Sequence, residues 1–258
     1  PMNPDSMPSP IASVGPNVGA YDDNTVVGGQ SYYYRIGVTR NGEELISEEQ
    51  KLLAANFILV SGSGDNTVKK IDPDGNEIWT FTGHTSSVLS VVVDLNGNVY
   101  SASFDNTVKK IDFSGNEVWT FDSNTNGNPD GHTDLVMGIA IDLSGNTYTA
   151  SYDYAVKKID SDGNHVWTFG SGNPDGHTDR LRAVAVDSNG NVYSGGDDEK
   201  VKKIDSNGNY IWTFNGNAGV VYKTAVDLAG NIYVGFSDNV VKKIDSNGNE
   251  ITSGGWPF

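Results

Sequence analysis

Five near-identical phrases divide most of the sequence into units of similar length. Val-Lys-Lys-Ile-Asp begins at Val68, Val108, Val156, Val201 and Val241, so the period is roughly 40–50 residues. In the first four copies a tryptophan follows the valine at a fixed distance, whereas the fifth copy has Thr252 at that position. A repeat of this period indicates that one supersecondary unit is stacked several times, so the repeat constrains the fold more than any single residue does.

Each unit contains four short runs that favour β-strands. In the second unit they cover residues 88–93, 99–102, 107–111 and 117–121, and they are rich in Val, Ile, Tyr, Trp and Thr. Phrases rich in Gly, Asn and Asp separate the runs, as expected for turns. Four strands in about 40–45 residues are typical of one propeller blade. We therefore predict an all-β chain in which residues 56–258 form a β-propeller of about five four-stranded blades.

The first unit has no good candidate for its innermost strand. Counting backwards from Asp65 places this strand at residues 48–53, where Glu48-Glu49-Gln50-Lys51 is too polar for an inner strand. Residues 254–258 at the other end of the chain are the alternative. A ring closed by such a strand exchange would protect its edges from aggregation.

The units resemble two families of propeller repeats. Gly83-His84-Thr85-Ser86-Ser87-Val88 and the stretch from Ser101 to Asp112 look like a WD-repeat blade in which Ile111 replaces the usual Trp. The stretch Asp112 to Trp119, with the spacing Asp-x-x-Gly-x-x-x-Trp, is similar to quinoprotein-type repeats. The resemblance covers residues 57–252 and implies the propeller fold. It leaves the function open, because one fold serves many functions.

Residues 1–55 do not fit the repeat. Residues 3–16 are rich in Pro and Ser, which indicates a linker, and residues 21–25, 32–38 and 41–44 suggest strands joined by turns. This part resembles the second half of a fibronectin type III-like module, of the kind common in bacteriophage tail and other virion proteins. The resemblance implies a small, partial β module that contacts other virion proteins.

The charge and composition argue against several function classes. The 17 Lys and Arg against 33 Asp and Glu give a formal charge of −16, so no basic excess is available for nucleic-acid phosphates or anionic lipids. The absence of cysteine removes disulfides, thiolate metal sites and cysteine nucleophiles. No apolar run approaches the roughly 18 residues that a membrane helix needs. We expect neither a nucleic-acid nor a membrane partner.

Histidine, serine and aspartate recur in a pattern that invites comparison with a catalytic triad. The three sets are His84, Ser103 and Asp105; His132, Ser151 and Asp153; and His177, Gly196 and Asp198. A nucleophile needs one specially activated copy and an oxyanion hole, whereas a packing network recurs with the repeat. The WD-repeat resemblance implies a structural hydrogen-bond network that joins the strand-connecting loops. We predict no catalytic residue.

Other repeated residues also have structural explanations. The Asp-x-x-Gly-Asn phrases, such as the one at Asp160, resemble calcium loops but place Gly fourth, as tight hairpin turns do. The Lys-Lys pairs point to opposite faces of a strand and cannot form one basic stripe. The repeated tryptophans are more typical of packing between blades than of a sugar platform. We predict no metal site and no cofactor, a quinone included.

The connections between units vary in length, whereas the stretch from His84, His132 or His177 to the Ile of the next Lys-Lys-Ile phrase is constant. Two connections are long, and each contains Asn-Pro-Asp-Gly-His-Thr-Asp. Insertions in repeat proteins occur in loops on one face, often the binding face. The candidate ligand-binding residues are Asp122, Asn128, Asp130, Asp134, Asn173, Asp175, Asp179, Arg180 and Arg182. The alternative is that these loops are solvated and vary freely.

Three hypotheses about function follow. The first is a non-enzymatic bacteriophage virion protein, displayed on a tail or capsid within a homo-oligomer or larger assembly, whose propeller contacts a host-surface protein or glycan. The second is a secreted or cell-surface bacterial propeller that binds a protein or glycan. The third is a quinoprotein-like or lyase-like enzyme, which would need a unique acid–base or cofactor set in one blade. We expect the first hypothesis, because the His, Ser and Asp residues that resemble a catalytic set are repeated in several units.

Overall fold

The computed structural model describes residues 64–72, 74–123, 130–170, 172–216 and 219–252, together with the backbone of five strands between residues 31 and 61. The chain forms two compact units, Pro1–Asn56 and Phe57–Phe258. Every named element of the described residues is a β-strand, which confirms the all-β prediction. These residues contain no helix long and apolar enough to cross a membrane.

The first unit contains two antiparallel strand pairs. β1 (Ser31–Tyr34) pairs with β4 (Gln50–Leu53), and β2 (Gly37–Arg40) pairs with β3 (Glu43–Ile46). The strand considered above as the innermost strand of the first blade therefore belongs to another sheet. Its polar sequence explains why it is unsuited to a buried inner position. The predicted linker, residues 3–16, and the tail, residues 254–258, lie outside the described residues.

The second unit contains five antiparallel sheets, here called blades 1 to 5. Blade 1 consists of β5 (Ile58–Ser61), β6 (Val68–Ile71) and β7 (Glu77–Phe81). Blade 2 consists of β8 (Val88–Val93), β9 (Val99–Ser103), β10 (Val108–Ile111) and β11 (Glu117–Phe121). Blade 3 consists of β12 (Val136–Ile141), β13 (Thr147–Ser151), β14 (Val156–Ile159) and β15 (His165–Phe169). Blade 4 consists of β16 (Leu181–Val186), β17 (Val192–Gly196), β18 (Lys200–Ile204) and β19 (Tyr210–Asn215). Blade 5 consists of β20 (Val221–Val226), β21 (Ile232–Phe236) and β22 (Val241–Ile244).

The strands of each blade pair in sequence order, so hairpins connect all neighbours within a sheet. The first strands of blades 2 to 5 contact one another in succession, which places them innermost, as in a β-propeller. Blades 2, 3 and 4 have the predicted four strands, whereas blades 1 and 5 have three among the described residues. After β22, Ile244 forms only an isolated bridge with Glu250, and the Trp of the other units is replaced by Thr252.

The hydrophobic core lies between the blades. Tyr100, Val108 and Phe121 of blade 2 pack against Val136 and Ile159 of blade 3, and all five side chains are buried. Similar clusters join blades 1 and 2, 3 and 4, and 4 and 5. Burying each large apolar side chain contributes about 1.5–3 kcal/mol. Because a single blade would leave these faces exposed, each blade depends on its neighbours.

A lysine and a tryptophan of each of the first four blades bind one carbonyl oxygen of the next blade. In blade 2, Lys110 Nζ and Trp119 Nε1 donate to the Ser161 carbonyl of blade 3 at 3.0 and 3.2 Å. We call this arrangement the interblade clamp. The other clamps join Lys70 and Trp79 to Phe113, Lys158 and Trp167 to Ser206, and Lys203 and Trp212 to Ser246. The second lysine of each of these pairs is therefore used in packing.

The turn that carries the bound carbonyl lies flat on the tryptophan ring. Gly163 has φ +91°, and a Cβ atom there would be 2.9 Å from Cγ of Trp119. The turn itself is closed by Asp160, whose carboxylate accepts hydrogen bonds from the backbone and side chain of Asn164 at 2.8 and 3.0 Å. The Asp-x-x-Gly-Asn phrase thus supplies the conformation that lets the next blade reach the clamp.

Candidate functional site

A buried histidine in blade 2 joins two strands and a turn. His84 Nδ1 lies 2.8 Å from Oδ2 of Asp105, and its Nε2 lies 2.7 Å from Oγ of Ser101. Ser103, which the sequence pattern grouped with this histidine, joins the same network through Asp105. Its hydroxyl accepts a hydrogen bond from the Asp105 N–H and donates to the Ser86 carbonyl, each at 3.1 Å. Ser101 lies two positions further from the turn on the same face of β9, where the ring reaches it.

The same arrangement recurs in blades 3 and 4. His132 contacts Asp153 and Thr149 at 2.8 and 2.7 Å, and Ser151 donates to the Asp134 carbonyl at 3.0 Å. His177 contacts Asp198 and Ser194 at 2.8 and 2.9 Å. Gly196 replaces the serine in blade 4, where a Cβ atom would collide with the Arg180 carbonyl. The three copies tie loops to strands and bury each histidine almost completely.

Burial and hydrogen bonding determine the charge state of the His–Asp pairs in blades 3 and 4. It lowers the pKa of His132 and of His177, because the protonated ring would lose its hydration. Burial alone would raise the pKa of Asp153 and Asp198, but hydrogen bonds from the histidines outweigh it and hold both values below the ordinary range. A neutral imidazole beside an ionised carboxylate results. Because this state is repeated and shielded from solvent, it fits a packing network better than catalysis.

The loops between blades meet the turns within blades at one edge, which we call the loop edge. The N–H groups of Phe104, Tyr152 and Asp197, in turns between second and third strands, donate to carbonyls of the segments that enter the first strands. The distances to Ser87, Leu135 and Arg180 are 2.9, 2.9 and 2.8 Å. Both long connections therefore lie at the same edge of the sheets.

The candidate residues of the two long connections have mostly local contacts. The carboxylates of Asp134 and Asp179 accept hydrogen bonds from the following backbone N–H groups at 2.7 and 2.8 Å. Asn173 Oδ1 accepts from the Asp175 N–H at 3.0 Å. Asp122 lies at the base of the first connection, where its backbone leaves no room for a Cβ atom on Gly131. Asn128 lies outside the described residues.

Lysines of the third strands hold both long connections in place. Lys157 Nζ donates to the Asp130 carbonyl and Lys202 Nζ to the Asp175 carbonyl, each at 2.7 Å. The corresponding Lys109 of blade 2 follows a short connection and pairs instead with Glu117 at 3.0 Å. The long connections are thus anchored by buried ammonium groups rather than hanging freely in solvent.

The sequence contains an unused sign of this exchange of lysine partners, at the first residue of the outer strand. The first residue of the outer strand is Glu77 in blade 1 and Glu117 in blade 2, and each pairs with a lysine. This position is occupied by His165 in blade 3 and by Tyr210 in blade 4, and a long connection precedes each of these two blades. Loss of the glutamate thus accompanies an inserted loop, because the lysine then binds the loop carbonyl.

Two arginines and two tyrosines form a cluster at the loop edge, which we call the Tyr–Arg cluster. The Arg182 guanidinium binds both carboxylate oxygens of Asp197, through Nε and through Nη2, the latter at 3.0 Å. It lies 5.2 Å from the ring centre of Tyr152 and 5.5 Å from that of Tyr222. Arg180 lies 5.0 Å from the Tyr152 ring. The cluster joins blades 3, 4 and 5.

The Tyr–Arg cluster combines fixed geometry with exposure. The hydrogen bonds from Arg182 to Asp197 raise the pKa of Arg182, so this guanidinium stays charged. Tyr222 is 49% exposed and Arg180 is also exposed, whereas Arg182 is half-buried. Both arginines were predicted from the sequence, whereas the two tyrosines and Asp197 were not. In the described part of the chain, no group of three or more His, Asp or Glu residues is placed to hold a metal ion.

Comparison with known proteins supports the propeller repeats. A family profile described as "Outer membrane protein assembly factor BamB" matches residues 64–215. The solved structure of the WD40 β-propeller domain of Doa1 aligns with a TM-score of 0.62 and 24% identity over 73% of this chain. The alignment spans 60% of that chain, and at this identity it shows the fold alone. No curated protein matches the sequence.

These findings confirm the propeller resemblance and, with the sheets described above, the predicted fold class. They do not show the fibronectin-like module, which stays a prediction for residues 1–55.

Proposed function

The chain belongs to the repeat family described as outer membrane protein assembly factor BamB, and we propose that it is a non-enzymatic propeller that binds a protein partner through its loop edge. The family description names an assembly factor, which is in keeping with a binding role. The observation that carries the proposal is the Tyr–Arg cluster, because Tyr and Arg are enriched among the residues that dominate protein–protein affinity. The cluster lies between the two long connections and blade 5.

The cluster has the properties of a preformed contact. Asp197 and the two tyrosine rings hold the Arg182 guanidinium, so little side-chain entropy remains to be lost on binding. Tyr222 offers a large amphipathic surface that is about half exposed. Lys157 and Lys202 fix the neighbouring connections through the carbonyl contacts described above. A partner would therefore meet a rigid surface.

We further propose that this chain is itself part of a larger particle. The resemblance of residues 1–55 to a phage-type fibronectin-like module supports a virion setting, with this segment as the attachment and the propeller exposed to a host surface. The alternative setting is the bacterial cell surface or the extracellular medium. No catalytic step is assigned, because the His–Asp pairs recur in three blades and are buried.

Site-directed photo-crosslinking tests the proposed contact. A benzophenone amino acid replaces Tyr222 in the cluster or, as the control, Leu228 in the turn after β20 at the opposite edge, where the side chain is fully exposed. After illumination in particles and extracts of the source organism, we expect one protein adduct at position 222 and none at position 228. Equal adducts at both positions, or adducts at 228 alone, would contradict the assignment of the loop edge.

Loop shortening provides an independent test. Residues 122–131 and 170–176 are cut to the length of the connection between Phe81 and His84. The variant also carries His165→Glu and Tyr210→Glu, which give Lys157 and Lys202 the partner that Lys109 already has. We expect an unchanged circular dichroism spectrum and loss of the crosslink. A crosslink of full strength in the folded variant would remove the long connections from the contact.

A further inference from the structure

A cavity of about 320 Å³ opens at the loop edge of blade 3. Its polar lining includes Thr133, Asp153, Lys157 and Asn173, and Ala155 contributes a methyl group. Gly172 also lines it, and no atom lies within 4 Å of the position that a Cβ atom would take there. The cavity therefore offers donors and acceptors around a space that small residues leave open.

Lys157 lines the cavity with spare hydrogen-bonding capacity. Its side chain is buried, with 8% of the residue exposed, and its ammonium group donates to the Asp130 carbonyl at 2.7 Å. In blade 4 the equivalent Lys202 makes a matching contact with Asp175 and a second one with Thr213. An ammonium group has three donors. Lys157 thus makes one hydrogen bond among the described residues where its equivalent makes two.

Lys157 lacks the two acceptors that the equivalent Lys109 of blade 2 uses, a glutamate carboxylate and a threonine hydroxyl. Thr168 occupies the position of Thr120 in blade 2, which accepts a hydrogen bond from Lys109 at 2.7 Å. In blade 3, His165 Nε2 lies 2.8 Å from Oγ1 of Thr168, and Lys157 makes no hydrogen bond to this hydroxyl. His165 also stands where Glu117 of blade 2 accepts a hydrogen bond from Lys109. The replacement of glutamate by His165 therefore leaves the buried ammonium with donors toward the cavity that it lines.

Ala155 frees an acceptor in the same cavity. In blade 2 the equivalent Thr107 donates its hydroxyl to Oδ1 of Asp105 at 2.6 Å. Alanine has no hydroxyl, so Oδ1 of Asp153 receives only the backbone N–H of Ala155, at 3.1 Å. Blade 3 thus combines the buried ammonium of Lys157 with Oδ1 of Asp153 as an acceptor. In blade 2 the equivalent oxygen of Asp105 is occupied by the Thr107 hydroxyl.

The opposite charges of the lining define the ligand class. An anion would be repelled by Asp153 and a cation by Lys157, whereas a neutral molecule with several hydroxyl groups can accept from one and donate to the other. The cavity of about 320 Å³ lies at the small end of the usual range for small-molecule sites, about 300–1,000 Å³, which suits a ligand of one sugar ring. Hydroxyl pairs on such a ring match a donor and an acceptor side by side.

We propose that this cavity binds one neutral sugar unit of a glycan through Lys157 and Asp153, with Thr133 and Asn173 contributing further hydrogen bonds. The site is distinct from the Tyr–Arg cluster and adds a glycan contact to the proposed protein contact. Such a single-sugar site, without stacked aromatic rings, is expected to bind in the millimolar range.

Saturation-transfer difference NMR on the full chain tests the proposal with D-glucose, D-galactose, D-mannose and N-acetyl-D-glucosamine as probes. We expect transfer to at least one of them. Ala155→Thr should weaken that binding about tenfold, since the added hydroxyl takes the Asp153 acceptor and its methyl group occupies the cavity. Threonine occurs at this position in blades 1 and 2, so the variant is expected to fold.

Two controls separate the outcomes. Ser188→Thr makes a similarly small change in an exposed turn at the opposite edge and should leave the transfer unchanged. Tyr222→Ala removes the exposed ring of the proposed protein contact and should keep sugar binding. The proposal is overturned if none of the four sugars shows transfer, if Ala155→Thr binds as well as the original chain, or if Tyr222→Ala alone abolishes sugar binding.

Discussion

Two glycines have the same backbone conformation but different surroundings. Comparing them therefore separates the contribution of the interblade clamp to stability from the cost of the backbone conformation. Gly75 in blade 1 has φ +88° and Gly163 in blade 3 has φ +91°. A Cβ atom at Gly75 would meet no atom within 4 Å, whereas one at Gly163 would lie 2.9 Å from Cγ of Trp119. Alanine at either position is strained, but only Gly163→Ala must also displace the indole ring.

The expected costs follow from these distances. Alanine in the left-handed region costs about 1–2 kcal/mol at either position. At Gly163 the displaced ring adds about 1–3 kcal/mol of overpacking. The hydrogen bond from Trp119 Nε1 to the Ser161 carbonyl, 3.2 Å long, is weakened as well, which costs about 1 kcal/mol. We therefore expect Gly163→Ala to lower the free energy of unfolding by about 2–4 kcal/mol more than Gly75→Ala does.

Urea unfolding followed by far-ultraviolet circular dichroism measures both variants without depending on tryptophan emission. A second background, Trp119→Ala, completes a double-mutant cycle. With the ring removed, Gly163→Ala should cost no more than Gly75→Ala. Equal losses for the two glycine variants in the original background would refute the argument that the turn rests on the ring.

Three further predictions concern pH, strain and attachment. Burial lowers the pKa of His177. At Asp198 burial alone would raise the pKa, but the hydrogen bond from His177 outweighs burial and lowers it. Both groups therefore stabilise the fold at pH values above their unfolded pKa values. The urea concentration at the unfolding midpoint should therefore decrease as the pH falls below about 6.5, and decrease again below about pH 4. The first decrease should be smaller in His177→Gln. Glu199 has φ +59° where blade 2 has Asn106, so Glu199→Asn should raise the free energy of unfolding by about 0.5–1 kcal/mol, and an unchanged midpoint would contradict this. Deleting residues 1–55 should prevent incorporation into virions or cell envelopes, as measured by mass spectrometry of purified particles, and normal incorporation would disprove the attachment.

The blades could be predicted from the sequence because their information is local. Each strand run and each turn phrase lies within one unit, and the period shows that the units stack. The ends of the repeat could not be predicted in the same way. Residues 50–53 pair with Ser31–Tyr34, and strand partners this far apart are chosen by tertiary context rather than by propensity.

The candidate site was only partly predictable for a related reason. Arg180 and Arg182 were among the candidate residues because they follow a long connection. Tyr152 and Tyr222 lie in different units of the repeat and meet Arg182 only because three blades converge. The partner of His84 depended on which serine of β9 the ring reaches, and this is a question of distance rather than of pattern. Spacing selected Ser103, which belongs to the network through Asp105, but missed Ser101, which contacts the ring.

The interblade clamps also have a direction along the chain. In each of the four clamps the lysine and tryptophan precede the bound carbonyl, by 34 to 51 residues. During synthesis on the ribosome, the groups that hold a turn are therefore always made before the turn itself. The turn of each newly synthesised blade can bind the lysine and tryptophan of the blade before it. The propeller can therefore assemble in the order of translation, from blade 1 towards blade 5.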